Sequence, residues 1–126
     1  MAVKESMVYV IDDDESIRKS FSRLFRSANL NVETFPSPDE FLARPIQPQN
    51  ACILLDIRMP GTTGFDLQQK LTEAGILLPV IVVSASDDEQ VRDTARRLGA
   101  KSFFRKPVDD QALLDAILWV VSGVRK

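Results

Sequence analysis

The sequence contains no histidine and a single cysteine among its 126 residues. Without histidine the chain has no Ser-His-Asp triad, no Cys-His nucleophile pair and no imidazole ligand for a metal, and one thiol forms no internal disulfide. These absences exclude a large part of hydrolase and metalloenzyme chemistry. The lone thiol, Cys52, lies in an apolar segment, so we expect it to pack as a small buried hydrophobe.

The chain also lacks a strong charge of either sign and a long apolar run. Its 16 basic and 18 acidic residues leave a formal charge of -2, which gives no sign of direct nucleic-acid binding by this domain. Pro79 interrupts the apolar stretch 76–83, which is far shorter than the roughly 20 residues that cross a bilayer. No signal-peptide core opens the sequence, so we expect a cytoplasmic protein that does not enter a membrane.

The length predicts one domain, residues 1–126, because two cores would not fit into a chain of this size. Short β-rich apolar segments alternate along it with segments of helical periodicity, the apolar positions 17, 21, 24, 25 and 28 being one example. Five strands are predicted, at residues 7–11, 31–35, 51–55, 79–83 and 102–104.

Capping residues support the alternation of strands and helices. Ser37 followed by Pro38 predicts the start of a helix, and Gly75 and Gly99 stand where helices should end. The last helix is predicted from residue 109 to about residue 121, with an apolar stripe that takes Leu118 and Trp119 into the core.

Segments 52–55 and 80–83 are apolar on both faces, which is typical of parallel strands covered by helices on each side. The predicted fold is therefore an α/β three-layer sandwich, with a five-stranded parallel sheet and helices on both of its faces. In such folds ligands bind beyond the carboxyl ends of the strands, so the residues that follow each strand are the candidates for function.

Acidic and phosphate-binding side chains follow four of the predicted strands: Asp12, Asp13 and Asp14, then Asp56, Ser84 and Lys106. Carboxylates that converge at one edge repel each other unless a cation joins them. With oxygen ligands and no histidine, the cation is Mg²⁺ or Mn²⁺, partly hydrated so that it can also hold a phosphoryl oxygen. Lys106 and Ser84 are then candidate phosphate ligands, whereas Asp14 is assigned to the N-cap of the following helix.

The segments Ile11-Asp12-Asp13, Leu55-Asp56 with the following Met-Pro-Gly, Val83-Ser84-Ala85 and Lys106-Pro107 resemble the receiver domain of two-component response regulators. The resemblance covers essentially the whole chain, and residues 8–20 are similar to receivers of the FixJ class. It implies the flavodoxin-like (βα)5 receiver fold and a signalling role, with catalysis limited to the domain's own phosphorylation and dephosphorylation.

The resemblance also implies a role for each matching residue. Asp56 would accept a phosphoryl group from the phosphohistidine of a sensor histidine kinase, and Lys106, aimed by a cis peptide bond to Pro107, would pair with the phosphoryl oxygens. The Mg²⁺ ligands would be Asp12 through water, Asp13, Asp56 and the backbone carbonyl of Arg58.

Further implied roles concern the response to phosphorylation. Ser84 and Phe103 would form the switch, although the family more often has Thr at the first of these positions. Arg58 and Ser86 would tune the phosphoryl lifetime. Ile17 would touch the phosphodonor domain, although its place on the apolar stripe also suits the core. The surface of helix 4, strand 5 and helix 5 would mediate dimerisation or effector contact, and Arg92, Arg96 and Arg97 are expected on a solvated helix face.

The expected partners are a sensor kinase, a second copy of the phosphorylated chain and a downstream effector or DNA-binding domain, the last favoured by the FixJ-like start. Two other functions stay open. One is a receiver-like module that binds partners without phosphorylation. The other is a Mg²⁺-dependent phosphohydrolase with Asp12 as nucleophile, which Ser16 and the short chain disfavour.

Overall fold

The computed structural model describes residues 6–57, 63–85 and 88–121, in which five strands alternate with five helices. In chain order these are β1 (Met7–Ile11), α1 (Glu15–Ser27), β2 (Asn31–Phe35), α2 (Pro38–Leu42), β3 (Ala51–Asp56), α3 (Gly64–Glu73), β4 (Val80–Ser84), α4 (Glu89–Arg97), β5 (Ala100–Arg105) and α5 (Asp110–Val121). All five predicted strands are present, with ends that differ by at most two residues.

The five strands form one parallel sheet in the order β2-β1-β3-β4-β5. Ile11 pairs with Leu55 of β3, and Ser84 pairs with Arg105 of β5. Because the strands run in the same direction in this register, the residues that follow them meet at one edge of the sheet.

Successive strand residues point to opposite faces of the sheet, and each face is covered by helices. Ile53 and Leu55 of β3 pack with buried residues of α2, α3 and α4, whereas Cys52 and Leu54 pack with those of α1 and α5. These two cores, called here the α2–α4 face and the α1/α5 face, confirm the predicted three-layer sandwich. None of the helices in the described residues reaches the length and hydropathy that a bilayer crossing requires.

The predicted helix ends are also observed. The Asp14 carboxylate accepts hydrogen bonds from the backbone N–H groups of Ser16 and Ile17 at the start of α1, and the Ser37 hydroxyl accepts one from Glu40. Gly75 and Gly99 follow α3 and α4 with φ of 74° and 103°, a conformation that lacks steric cost only for glycine.

The buried thiol of Cys52 behaves as its apolar segment predicts. The side chain is fully enclosed in the α1/α5 face. Burial raises the pKa of this thiol to about 12, because the thiolate would lose its hydration. Cys52 is therefore a packing residue with an unreactive sulfur.

The expected burial of Leu118 and Trp119 is wrong. Their exposed fractions are 43% and 60%, and the buried stripe of α5 consists of Leu113, Ile117 and Val121 instead. These three positions recur every four residues and therefore share one face of the helix. At roughly 100° per residue, Trp119 lies about 200° around the helix axis from Ile117, on the opposite side. Because apolar residues lie on most sides of α5, the sequence alone does not determine which side faces the sheet.

Candidate functional site

Three carboxylates converge at the carboxyl edge of the sheet. Asp12 directly follows β1 and is 1% exposed, and Asp56 is the last residue of β3 and is 5% exposed. Asp13 is exposed at the rim. One oxygen from each carboxylate lies within 4.8 Å of the others, so the three side chains can contact one hard cation.

Lys106, which follows β5, reaches into the same cluster. Its Nζ donates a hydrogen bond to Asp12 Oδ2 at 2.9 Å and lies 3.5 Å from Asp56 Oδ2. The peptide bond to Pro107 is cis, as the resemblance implied, and the backbone N–H of Lys106 donates to the Ser84 carbonyl at 2.8 Å. These contacts hold the ammonium group between the two buried carboxylates.

The electrostatic balance at this edge favours the charged form of Lys106. Partial burial by itself lowers the pKa of the ammonium, but the hydrogen bond to Asp12 and the negative charges of Asp56 and Asp12 outweigh it, so the pKa is raised overall. One ammonium against three carboxylates leaves a surplus of negative charge. An all-oxygen donor set with this surplus suits a hard divalent cation.

Asp12 is held by its surroundings at both carboxylate oxygens. Oδ1 accepts a hydrogen bond from the backbone N–H of Asp14 at 3.0 Å, and Oδ2 accepts from Lys106. The Asp12 carbonyl accepts a further bond from the guanidinium of Arg18 at 2.8 Å. Sequence reasoning missed Arg18, since its separation of six residues from Asp12 gives no recognisable pattern.

Close packing by a glycine fixes the position of Asp56. A Cβ atom on Gly64, the first residue of α3, would lie 2.7 Å from the Asp56 carbonyl oxygen and 2.8 Å from the Cα of Ile57. Only glycine lets α3 approach the end of β3 this closely. In the sequence, the only signal that marks Gly64 is its place shortly after the acidic end of β3.

Ser84 and Phe103 lie on the neighbouring strands β4 and β5, Ser84 at the carboxyl edge and Phe103 two residues before the end of its strand. Ser84 is fully buried at the end of β4, and Phe103 is half-buried against the α2–α4 face. The guanidinium carbon of Arg92 on α4 lies 5.5 Å from the centre of the Phe103 ring, which is cation–π geometry. The expectation of a solvated face is confirmed for Arg96 and Arg97, which are exposed, whereas Arg92 is half-buried and packs over the ring of Phe103.

The remaining predicted positions have different outcomes. Ile17 is half-buried and packs against the α1/α5 face, so part of its side chain is available to a partner. Arg58, with its backbone carbonyl, and Ser86 lie outside the described residues. Their predicted roles in metal binding and in phosphoryl lifetime stay predictions.

The fold and this site define a doubly wound α/β protein with an acidic, lysine-paired cluster at the carboxyl edge of its sheet. A family model of the response regulator receiver domain matches residues 8–118, and the chain belongs to that family of signalling domains. The predicted resemblance is thereby confirmed.

Individual relatives agree with this assignment. The transcriptional regulatory protein TdiR of Thauera aromatica is 43% identical over 112 residues, which cover 89% of this chain and 49% of TdiR. The transcriptional regulatory protein FixJ of Azorhizobium caulinodans is 37% identical over 110 residues, covering 87% of this chain and 52% of FixJ. The crystal structure of FixJ-N superimposes with a TM-score of 0.87 at 27% identity and covers 98% of this chain and 99% of that one. The chain thus spans about half the length of the curated relatives TdiR and FixJ.

Proposed function

We propose that Asp56 is the phosphoacceptor of a two-component signalling pathway and takes its phosphoryl group from the phosphohistidine of a sensor histidine kinase. An Asp56 carboxylate oxygen attacks phosphorus, a P–O bond forms, and the P–N bond breaks as the imidazole leaves. The observation that carries this proposal is the contact of Lys106 with both buried carboxylates in a cluster whose oxygens lie within 4.8 Å of one another.

A Mg²⁺ ion, or Mn²⁺ in its place, would be held by Asp13, Asp56 and the backbone carbonyl of Arg58, with Asp12 acting through water. The cation would offset the negative charge on the phosphoryl oxygens during transfer. The water-mediated role of Asp12 is supported by its two hydrogen-bonded oxygens.

The positions of Lys106, Ser84 and Phe103 support separate roles in phosphoryl binding and in the response to it. The Lys106 ammonium, 3.5 Å from Asp56 Oδ2, is within reach of a phosphoryl oxygen on that carboxylate. The Ser84 hydroxyl would donate to another phosphoryl oxygen and draw in the loop that joins β4 to α4. Phe103, which contacts Arg92 on α4, would follow this movement. Phosphorylation then selects one arrangement of the surface formed by α4, β5 and α5.

The partners in this proposal are the sensor kinase, which Ile17 would help to bind, and a second copy or an effector on the α4, β5 and α5 surface. The relatives TdiR and FixJ are named transcriptional regulatory proteins and are about twice as long as the matched region. We therefore propose that this receiver controls transcription through a DNA-binding domain of a longer protein.

The test is the intact mass of the protein after incubation with Mg²⁺ and acetyl phosphate. We expect the wild type and the control Asp39→Asn, in which an exposed carboxylate is removed, to gain one phosphoryl group. Asp56→Asn and wild type with EDTA should gain none. If borohydride traps no aspartyl phosphate in the wild type, the phosphoacceptor role is refuted and a phosphorylation-independent binding module is favoured.

A further inference from the structure

A buried glutamine joins α3 to α4 on the α2–α4 face. Gln68 is 1% exposed and lies between Leu67 and the next buried leucine of α3, Leu71. Its Nε2 donates a hydrogen bond of 3.1 Å to the carbonyl oxygen of Ala95 on α4. The two residues are 27 positions apart in sequence, so this bond is a tertiary contact between the helices.

The bond satisfies a carbonyl in the last turn of α4. Such carbonyls have no partner within their own helix and need one from elsewhere. Here the Leu98 N–H donates to Thr94 and the Gly99 N–H to Arg96, whereas the Ala95 carbonyl receives the amide of Gln68. The side chain of α3 therefore caps the carboxyl-terminal end of α4.

The contact matters because α4 buries few of its side chains. Ala95 is the one buried residue of this helix among the residues that the structure describes. One methyl group contributes little apolar burial, so a buried hydrogen bond is a large part of what fixes α4 against α3.

The carbonyl oxygen of the Gln68 side chain differs from its nitrogen in its hydrogen bonding. Its Oε1 is buried and has no hydrogen-bond partner among the described residues. Reversing the amide would set Oε1 against the Ala95 carbonyl oxygen, so the observed orientation is the one that avoids repulsion. A buried acceptor without a partner destabilises the fold, and a leucine or methionine would fill the same space without it, although the Ala95 carbonyl would then lose its donor. Packing alone therefore does not explain a glutamine at this position.

We propose that Gln68 is a positioning residue that tethers α4 in the arrangement in which the Asp56 carboxylate is paired directly with Lys106. This inference rests on the proposed function, in which a phosphoryl group on Asp56 selects a different arrangement of α4. The amide can reach the Ala95 carbonyl only while α4 keeps its present place on α3. Displacement of α4 breaks the bond. Gln68 therefore raises the free energy that is needed to move α4, which the contacts of the phosphoryl group must supply.

The test compares Gln68→Met with Gln69→Met, the same substitution at the exposed neighbouring position. Binding of beryllofluoride, a mimic of the phosphoryl group, is measured by calorimetry in the presence of Mg²⁺. Loss of one tethering hydrogen bond should make Gln68→Met bind about fivefold more tightly than the wild type, whereas Gln69→Met should not differ from it. Hydrogen exchange of the Leu98 and Gly99 amides should be faster in Gln68→Met alone.

A purely structural role predicts the opposite result, namely a lower midpoint of urea unfolding and unchanged or weaker binding of beryllofluoride. That result, or equal binding by the two variants, would overturn the inference. Because Gln68→Met also removes the unpaired acceptor, we expect its urea midpoint to stay within ~0.5 M of the wild type. Gln68→Leu provides a second variant if Gln68→Met does not fold. Failure of the wild type itself to bind beryllofluoride would instead refute the proposed function.

Discussion

Replacement of Lys106 by methionine tests the electrostatics of the acidic edge most directly. Methionine keeps much of the length of the side chain and removes only its charge and its hydrogen bonds. The Lys106 ammonium lies 2.9 Å from Asp12 Oδ2 and 3.5 Å from Asp56 Oδ2, and both carboxylates are buried. Lys106→Met therefore leaves two buried negative charges without their shared counter-charge.

The distances set the size of the expected loss. The two carboxylates approach within 4.8 Å, where unit charges repel by about 3.5 kcal/mol at an effective dielectric constant of about 20. In the wild type the ammonium offsets this repulsion. We expect Lys106→Met to lower the free energy of unfolding by about 3 kcal/mol at neutral pH, which agrees with the usual cost of ~3–5 kcal/mol for removing one partner of a buried pair.

The assay is urea unfolding of wild type, Lys106→Met, Asp56→Asn and the double variant, first without divalent cations. In the Asp56→Asn background the repulsion between the two carboxylates is absent, although Lys106 still pairs with Asp12, so Lys106→Met should cost less there than in the wild type. Mg²⁺ should recover much of the stability of Lys106→Met, because a bound cation replaces the ammonium. Lys101→Met, at an exposed position of β5, is the matched control and should behave as the wild type.

The electrostatic reasoning would be refuted by a loss of equal size in both backgrounds that Mg²⁺ does not change. Such a result would assign the effect of Lys106 to packing of its alkyl chain instead.

Three further predictions concern packing and protonation. The Cys52 thiol keeps its proton in the folded state up to about pH 12 but loses it above 9.0 when unfolded, so stability falls as the pH rises through this window. Between pH 8 and 10.5 the wild type should lose about 2 kcal/mol more than Cys52→Ala in urea unfolding, and equal slopes would contradict this. Gly64→Ala should lower the free energy of unfolding by ~1–3 kcal/mol because its Cβ meets backbone atoms at 2.7 and 2.8 Å; an unchanged urea midpoint would show that α3 shifts freely. Trp119→Ser should cost less than about 1 kcal/mol because the indole is 60% exposed, whereas a loss of ~3 kcal/mol or more would indicate a core position.

Local signals in the sequence determined most of the architecture. Runs that are apolar on both faces, such as 52–55, can be satisfied only in a covered parallel sheet, and Asp14 and Gly99 mark helix ends through short-range hydrogen bonds and backbone conformation. Since parallel strands bring their carboxyl ends to one edge, the convergence of Asp12, Asp13 and Asp56 also followed from the places of these residues at the ends of predicted strands.

Features that depend on how elements pack against one another required the tertiary structure. The orientation of α5, and with it the exposure of Trp119, depends on which face of the helix packs against the sheet. Because this helix is apolar on most sides, its sequence does not specify that face. The insertion of Arg92 over Phe103, the approach of Gly64 to the Asp56 backbone and the bond from Gln68 to α4 join residues on different elements. Sequence periodicity describes one element at a time, whereas these distances arise only when several elements are packed together.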